Sequence, residues 1–124
     1  MKNYEIEPLL LGLTSLKEVK LPGKVAYAVL RNIDKLSSCF KTIEDSRKKF
    51  AEEACEKDAE GKPVLEEVDG NQVYKLKEGN DFNKQYIELL DSEADIELFK
   101  IDENLLDSVE LTLEQTNYLF QISK

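Results

Sequence analysis

Residues 23–58 read GKVAYAVLRNIDKLSSCFKTIEDSRKKFAEEACEKD, a run with no proline and no glycine after its first position. Within it Ala26, Val29, Ile33, Leu36, Phe40 and Ile43 recur at three- and four-residue spacing, and the series continues through Arg47, Phe50 and Ala54. A repeat of that period lies along one face of an α-helix. It predicts a helix over about 23–58, on the order of 50 Å long. Such a stripe is a packing surface and a candidate interface, and the fold depends on what covers it.

The other face of this helix accounts for its charge. Glu44, Lys48 and Glu52 form one line at four-residue spacing, and Asp45, Lys49, Glu53 and Lys57 form its neighbour. Opposite charges therefore alternate turn by turn, each pair contributing about 0.2–0.5 kcal/mol, so this is a solvated face and not a carboxylate site. Arg47 interrupts the apolar series. An arginine there either fixes register, as single polar residues do in coiled coils, or packs its stem and sends its head to water.

Outward from the long helix, Leu21-Pro22-Gly23 separates it from a short first helix over 8–20, with Pro8 in its first turn and Leu9, Leu13 and Leu16 at helical spacing. On the other side, Val64–Val68 and Gln72–Leu76 flank Asp69-Gly70-Asn71, the signature of a tight hairpin turn over about 64–76. Asn80 or Asp81 caps a helix over about 81–92 carrying Phe82, Tyr86, Leu89 and Leu90, suited to lie antiparallel along the later half of the long helix. The earlier half is left to the first helix, the C-terminal segment or a second copy of the chain. A hairpin alone is marginal, so it is expected to gain a third strand, for which Asp95–Ile101 is the candidate, or to pack on a helix. Thr112 and Gln115 match a capping box that opens a last helix over about 113–121. The expected fold is α+β and mostly helical: one domain over 1–124, with a long helix paired with shorter ones plus an antiparallel hairpin or three-stranded sheet.

Composition excludes more than it identifies. The 124 residues are 41% hydrophobic and 35% charged with net charge −9, which disfavours direct nucleic-acid binding and anionic membranes. Residues 1–50 hold 10 Lys/Arg and 6 Asp/Glu (net +4), residues 51–124 hold 7 and 20 (net −13). Cys39 and Cys55, sixteen residues apart on one helix, would stand roughly 24 Å apart, beyond disulfide reach. They are expected as free thiols in a reducing cytoplasm. Leu9–Leu13 lacks the basic leader and cleavage site of a signal peptide, and no apolar run is long enough to span a membrane.

The chain has no histidine. Ser-His-Asp and Cys-His triads cannot be assembled without it, and two distant cysteines make no zinc site. No glycine-rich phosphate loop is present. Glu66, Glu67, Asp69, Glu93, Asp95 and Glu97 lie among polar neighbours, unlike catalytic carboxylates, whose surroundings drive one pKa upward. Glu56-Lys57-Asp58-Ala59-Glu60-Gly61 followed by Glu67 has the outline of a calcium loop, but glutamates stand at its first and fifth positions and Pro63 at its eighth. No enzyme, metal or cofactor is expected.

Several short strings carry a family resemblance. Lys20-Leu21-Pro22-Gly23-Lys24-Val25-Ala26-Tyr27, continuing to Arg31-Asn32-Ile33, resembles the opening of a group of small uncharacterised proteins of tailed phages and Gram-positive prophages. There a Leu-Pro-x-Lys-x-Ala-Tyr string leads into a long charged helix, although a residue bulkier than Gly23 is expected at its start. Glu56-Lys57-Asp58, Asp69-Gly70, Asp81-Phe82-Asn83-Lys84, Glu88-Leu89-Leu90 and Asp95-Ile96-Glu97-Leu98 follow in similar order, so the likeness covers most of residues 9–120. It implies a phage or prophage product in the bacterial cytoplasm and brings no catalytic residues.

The leading expectation is therefore a non-catalytic phage accessory protein that binds or assembles with a protein partner, phage-encoded or host, or with itself. Its candidate interface is Ala26, Val29, Ile33, Leu36, Phe40, Ile43, Arg47 and Phe50, where any part left uncovered would form an apolar docking patch. The alternative is an acidic, DNA-mimicking inhibitor of a host nucleic-acid-binding defence protein, drawing on the net −13 of residues 51–124. Direct nucleic-acid binding through Lys17, Lys20, Lys24 and Arg31 would need a denser basic patch.

Overall fold

The long helix starts at Gly23, where the Ala26 N–H reaches Pro22 O at 2.9 Å, and ends at Ala54 instead of the expected Asp58. The backbone at its exit finds other partners. Lys77 donates to Ala54 O (2.8 Å) and Glu56 to Lys75 O (2.7 Å), while the Lys57 ammonium caps Glu52 O (2.6 Å). Continuing the helix would also have placed Glu56 and Asp58 at its negative end. Asp58 instead closes a turn, its carboxylate accepting the N–H groups of Glu60 and Lys62, each at 2.9 Å.

The computed structural model describes residues 1–124. Its elements are α1 (Ile6–Thr14), α2 (Gly23–Ala54), β1 (Leu65–Val68), β2 (Asn71–Tyr74), α3 (Phe82–Asp91) and α4 (Leu113–Gln121), with 3-10 turns at Asn3–Glu5, Ser15–Glu18 and Glu103–Leu106. The fold is α+β and mostly helical. Two compact units divide it: Met1–Lys41 with Glu93–Lys124, and Thr42–Ser92. The expected first helix over 8–20 is thus a shorter α1 that tightens into a 3-10 turn after Thr14.

In the first unit α1 packs on α4. Ile6, Leu9, Leu13 and Leu16 are buried with Val25, Ala28, Val29, Ile33 and Leu36 of α2 and with Ile101, Leu119 and Ile122. Gly12 permits the close approach, since a methyl group there would overlap the Tyr118 ring. The capping box forms as read: Thr112 Oγ1 accepts from Gln115 N (3.1 Å) and Gln115 Oε1 accepts from Thr112 N (3.0 Å).

Asp95–Ile101 is not a third strand. Its backbone is engaged by side chains of α2: the Asn32 amide donates to Phe99 O (2.8 Å) and accepts from Phe99 N (2.7 Å), and the Lys35 ammonium donates to Glu97 O (2.7 Å). Asn32 thereby supplies the hydrogen bonds that a neighbouring strand would have supplied. Only Ile101 makes a bridge, parallel to Ser123.

In the second unit β1 and β2 pair Leu65↔Tyr74, Glu66↔Val73, Glu67↔Gln72 and Val68↔Asn71, so the sheet has two strands only. Asp69 (φ 51°) and Gly70 (φ 81°) both adopt the left-handed conformation that the hairpin turn requires. Beyond the hairpin its two arms splay around the α2 exit, with Val64 N bonded to Glu56 O (2.8 Å) and Lys75 N to Val64 O (2.9 Å). Along α3, Phe82 stacks on Tyr86 at 5.8 Å, and Phe82, Tyr86, Leu89 and Leu90 are all half-buried.

Candidate interaction surface

The predicted stripe divides between the two units, and most of it is covered within them. In the first unit Val29, Ile33 and Leu36 are buried and Ala26 and Phe40 half-buried; in the second Ile43 is buried and Phe50 half-buried. Ile43, only 5% exposed, belongs to a core and is not available to a partner. The sequence reading missed Val25, Ala28, Asn32 and Ala51, which complete the buried face of α2. Asn32 was detectable as a polar residue at helical spacing between Ala28 and Leu36.

Arg47 remains half-buried, its guanidinium bonded to Glu44 on the preceding turn at 3.2 and 3.0 Å. It lines a groove of about 800 Å³ in the second unit together with Lys48, Ala51, Tyr74, Leu76 and Phe82. Tyr74 closes one side by donating its hydroxyl to Glu52 (2.9 Å).

The accessible apolar surface of α2 lies on its other side, in the first unit. Tyr27 and Leu30 are 53% and 54% exposed, and Phe99, beside Tyr27, is 37% exposed. The Tyr27 and Phe99 rings meet edge to face at 5.7 Å, and the Arg31 guanidinium carbon stands 5.8 Å from one ring centroid and 5.7 Å from the other. A weak bond from Arg31 Nη1 to the Tyr27 hydroxyl (3.4 Å) completes the cluster. No ion pair engages Arg31, so its guanidinium can receive an incoming carboxylate. Phe99 is fixed from below by the fully buried Asn32. Tyrosine and arginine are the residue types that dominate binding energy at protein interfaces, and a pre-ordered cluster loses little side-chain entropy on docking.

The remaining reactive groups are engaged or subdued. Burial, and secondarily the charge of Asp95, push the Cys39 thiol upward, which keeps it protonated at neutral pH. Cys55 is buried and donates to Glu52 O (3.0 Å). The hydroxyls of Tyr74 and Tyr118 are raised, chiefly by their hydrogen bonds to Glu52 and Glu114. No group of three His, Cys, Asp or Glu side chains gathers as metal ligands would.

Both units are acidic. The first unit holds 9 Lys/Arg against 12 Asp/Glu, net −3, and the second 8 against 14, net −6. Several carboxylates are matched locally, Glu56 with Lys75 (3.4 Å) and Glu60 with Lys62 (3.5 Å) among them. No helix is long and apolar enough to cross a membrane. No family model, curated protein or solved structure matches this chain.

Proposed function

We propose that this chain is a non-catalytic protein-interaction module, a phage or prophage accessory protein of the bacterial cytoplasm, that docks a protein partner through Tyr27, Leu30, Arg31 and Phe99. The observation that carries the reading is the exposed arginine set against two aromatic rings, with no ion pair of its own and a buried asparagine clamping the segment beneath. The complementary partner face offers apolar side chains to Tyr27, Leu30 and Phe99 and a carboxylate to Arg31. The phage attribution rests on the sequence resemblance alone.

The test compares the wild type with a Tyr27→Ala, Arg31→Glu double variant in affinity capture from phage-bearing bacteria and in sedimentation of the purified chain. Both positions are exposed, so the melting temperature should move little. Loss of the captured proteins, or of self-association if the partner is a second copy, is the expected result. Unchanged capture and unchanged sedimentation would refute the reading.

A further inference from the structure

The second unit carries an open sheet edge, and its side chains specify what can pair with it. The single bond from Lys75 N to Val64 O (2.9 Å) sets the phase of the ladder, and with the register from Leu65↔Tyr74 to Val68↔Asn71 it makes 66:73 and 68:71 the hydrogen-bonded pairs. Leu65 and Glu67 therefore direct their N–H and C=O groups away from β2. All four residues of β1 are exposed, Leu65 at 50% and Val68 at 47%. The opposite edge is less open, because Tyr74 is half-buried and tied to Glu52 and the chain after it pairs with the α2 exit. Exposed edges of this kind accept an added strand through main-chain bonds, with alternate side chains setting specificity.

Charge selects the occupant. Leu65-Glu66-Glu67-Val68 has the pattern apolar, acidic, acidic, apolar, which reads the same in both directions. A second copy pairing antiparallel through β1 must match outward-facing residues with outward-facing residues, so the registers that overlap three residues set Glu66 against Glu66 or Glu67 against Glu67, and like charges directly opposite are destabilising. A strand of the pattern apolar, basic, basic, apolar meets both glutamates with opposite charge. One of its apolar residues would also lie beside Leu65, at the margin of the 800 Å³ groove. We infer that β1 is a docking edge for an extended, basic segment of a partner protein, which adds to the hairpin as a third strand. This site lies in the second unit and stands or falls independently of the Tyr27–Arg31–Phe99 surface.

The probe is a capped peptide, Ser-Thr-Val-Lys-Lys-Val-Thr-Ser, titrated into the isotope-labelled full chain while amide shifts and exchange are followed by NMR. Binding with a Kd below about 1 mM, with slowed exchange at the Leu65 and Glu67 amides, is expected. The Glu66→Lys, Glu67→Lys double variant should retain its melting temperature and bind at least tenfold more weakly, and N-methylation of alternate peptide nitrogens should abolish binding. The inference is overturned if the peptide fails to bind at 1 mM. Equal binding of a peptide with Glu-Glu in place of Lys-Lys would also overturn it, as would protection confined to Gln72 and Tyr74, or dimerisation of the chain through the same amides without peptide.

Discussion

The two units keep their order by different means. Of the 15 buried apolar side chains, 12 lie in the first unit, and the second has only Ile43, Ala51 and Cys55. The second unit relies instead on backbone bonds that join the α2 exit to both arms of the hairpin, on the Asp58 turn and on the Asp69-Gly70 turn. Apolar burial contributes about 1.5–3 kcal/mol for each large side chain, whereas a net hydrogen bond contributes about 0.5–1.5 kcal/mol. The first unit is thus a packed scaffold suited to presenting a fixed surface, and the second is the part that opens at lower cost.

The contrast breaks most readily at the large apolar side chains, buried in the first unit and half-exposed on the hairpin of the second. Leu119→Ala, at a fully buried site of the first unit, should cost about 2–5 kcal/mol, and Leu65→Ala, at a half-exposed site of the second, no more than about 0.5 kcal/mol. Denaturant titration of the two variants measures both. Comparable losses would remove the distinction between the units.

Asn32→Ala comes next. It leaves the Phe99 N–H and C=O without their partners and should cost about 1–3 kcal/mol, with near-ultraviolet dichroism of the Tyr27–Phe99 pair reduced in proportion. A wild-type spectrum and stability would show that the clamp does not order the surface. Gly70→Ala should cost about 1 kcal/mol because its φ of 81° suits glycine. Its exchange effects should stay within Thr42–Ser92, which sharpens the division between the units.

The smallest effect concerns Cys39. Its folded-state pKa is raised above the ordinary 9.0, by burial first and by Asp95 second. The protonated thiol therefore favours folding below the unfolded value near 9, and this contribution is lost as pH rises through the folded value. Maleimide labelling of the folded chain should lag behind a free thiol between pH 7 and 9, and Asp95→Asn should accelerate it. Equal rates would remove the assigned cause.

The legible parts of the fold were those with local causes. The start of α2, the Asp69-Gly70 turn and the Thr112–Gln115 box are each dictated by a few adjacent residues, and the structure has them. The end of α2 was misplaced because Ala54 and Glu56 find their partners at Lys77 and Lys75, 23 and 19 residues along the chain, which no helical period reports. Asp95–Ile101 alternates like a strand, yet one buried asparagine replaces the neighbouring strand, and the pairing of Asn32 with Phe99 spans 67 positions. The candidate surface was legible only in part. The spacing of apolar residues marked α2 as a packing helix, but it could not separate residues covered by this chain from those left exposed, and Tyr27, Leu30 and Phe99 lay outside the stripe.

Native-state hydrogen exchange, read amide by amide, tests the division most directly. Amides of α1, α4 and Val25–Leu36 should exchange through global unfolding, with protection near the full stability of the chain, while β1, β2 and α3 exchange through openings costing several kcal/mol less. Uniform protection across both units, or greater protection in the hairpin than in α1 and α4, would contradict the account.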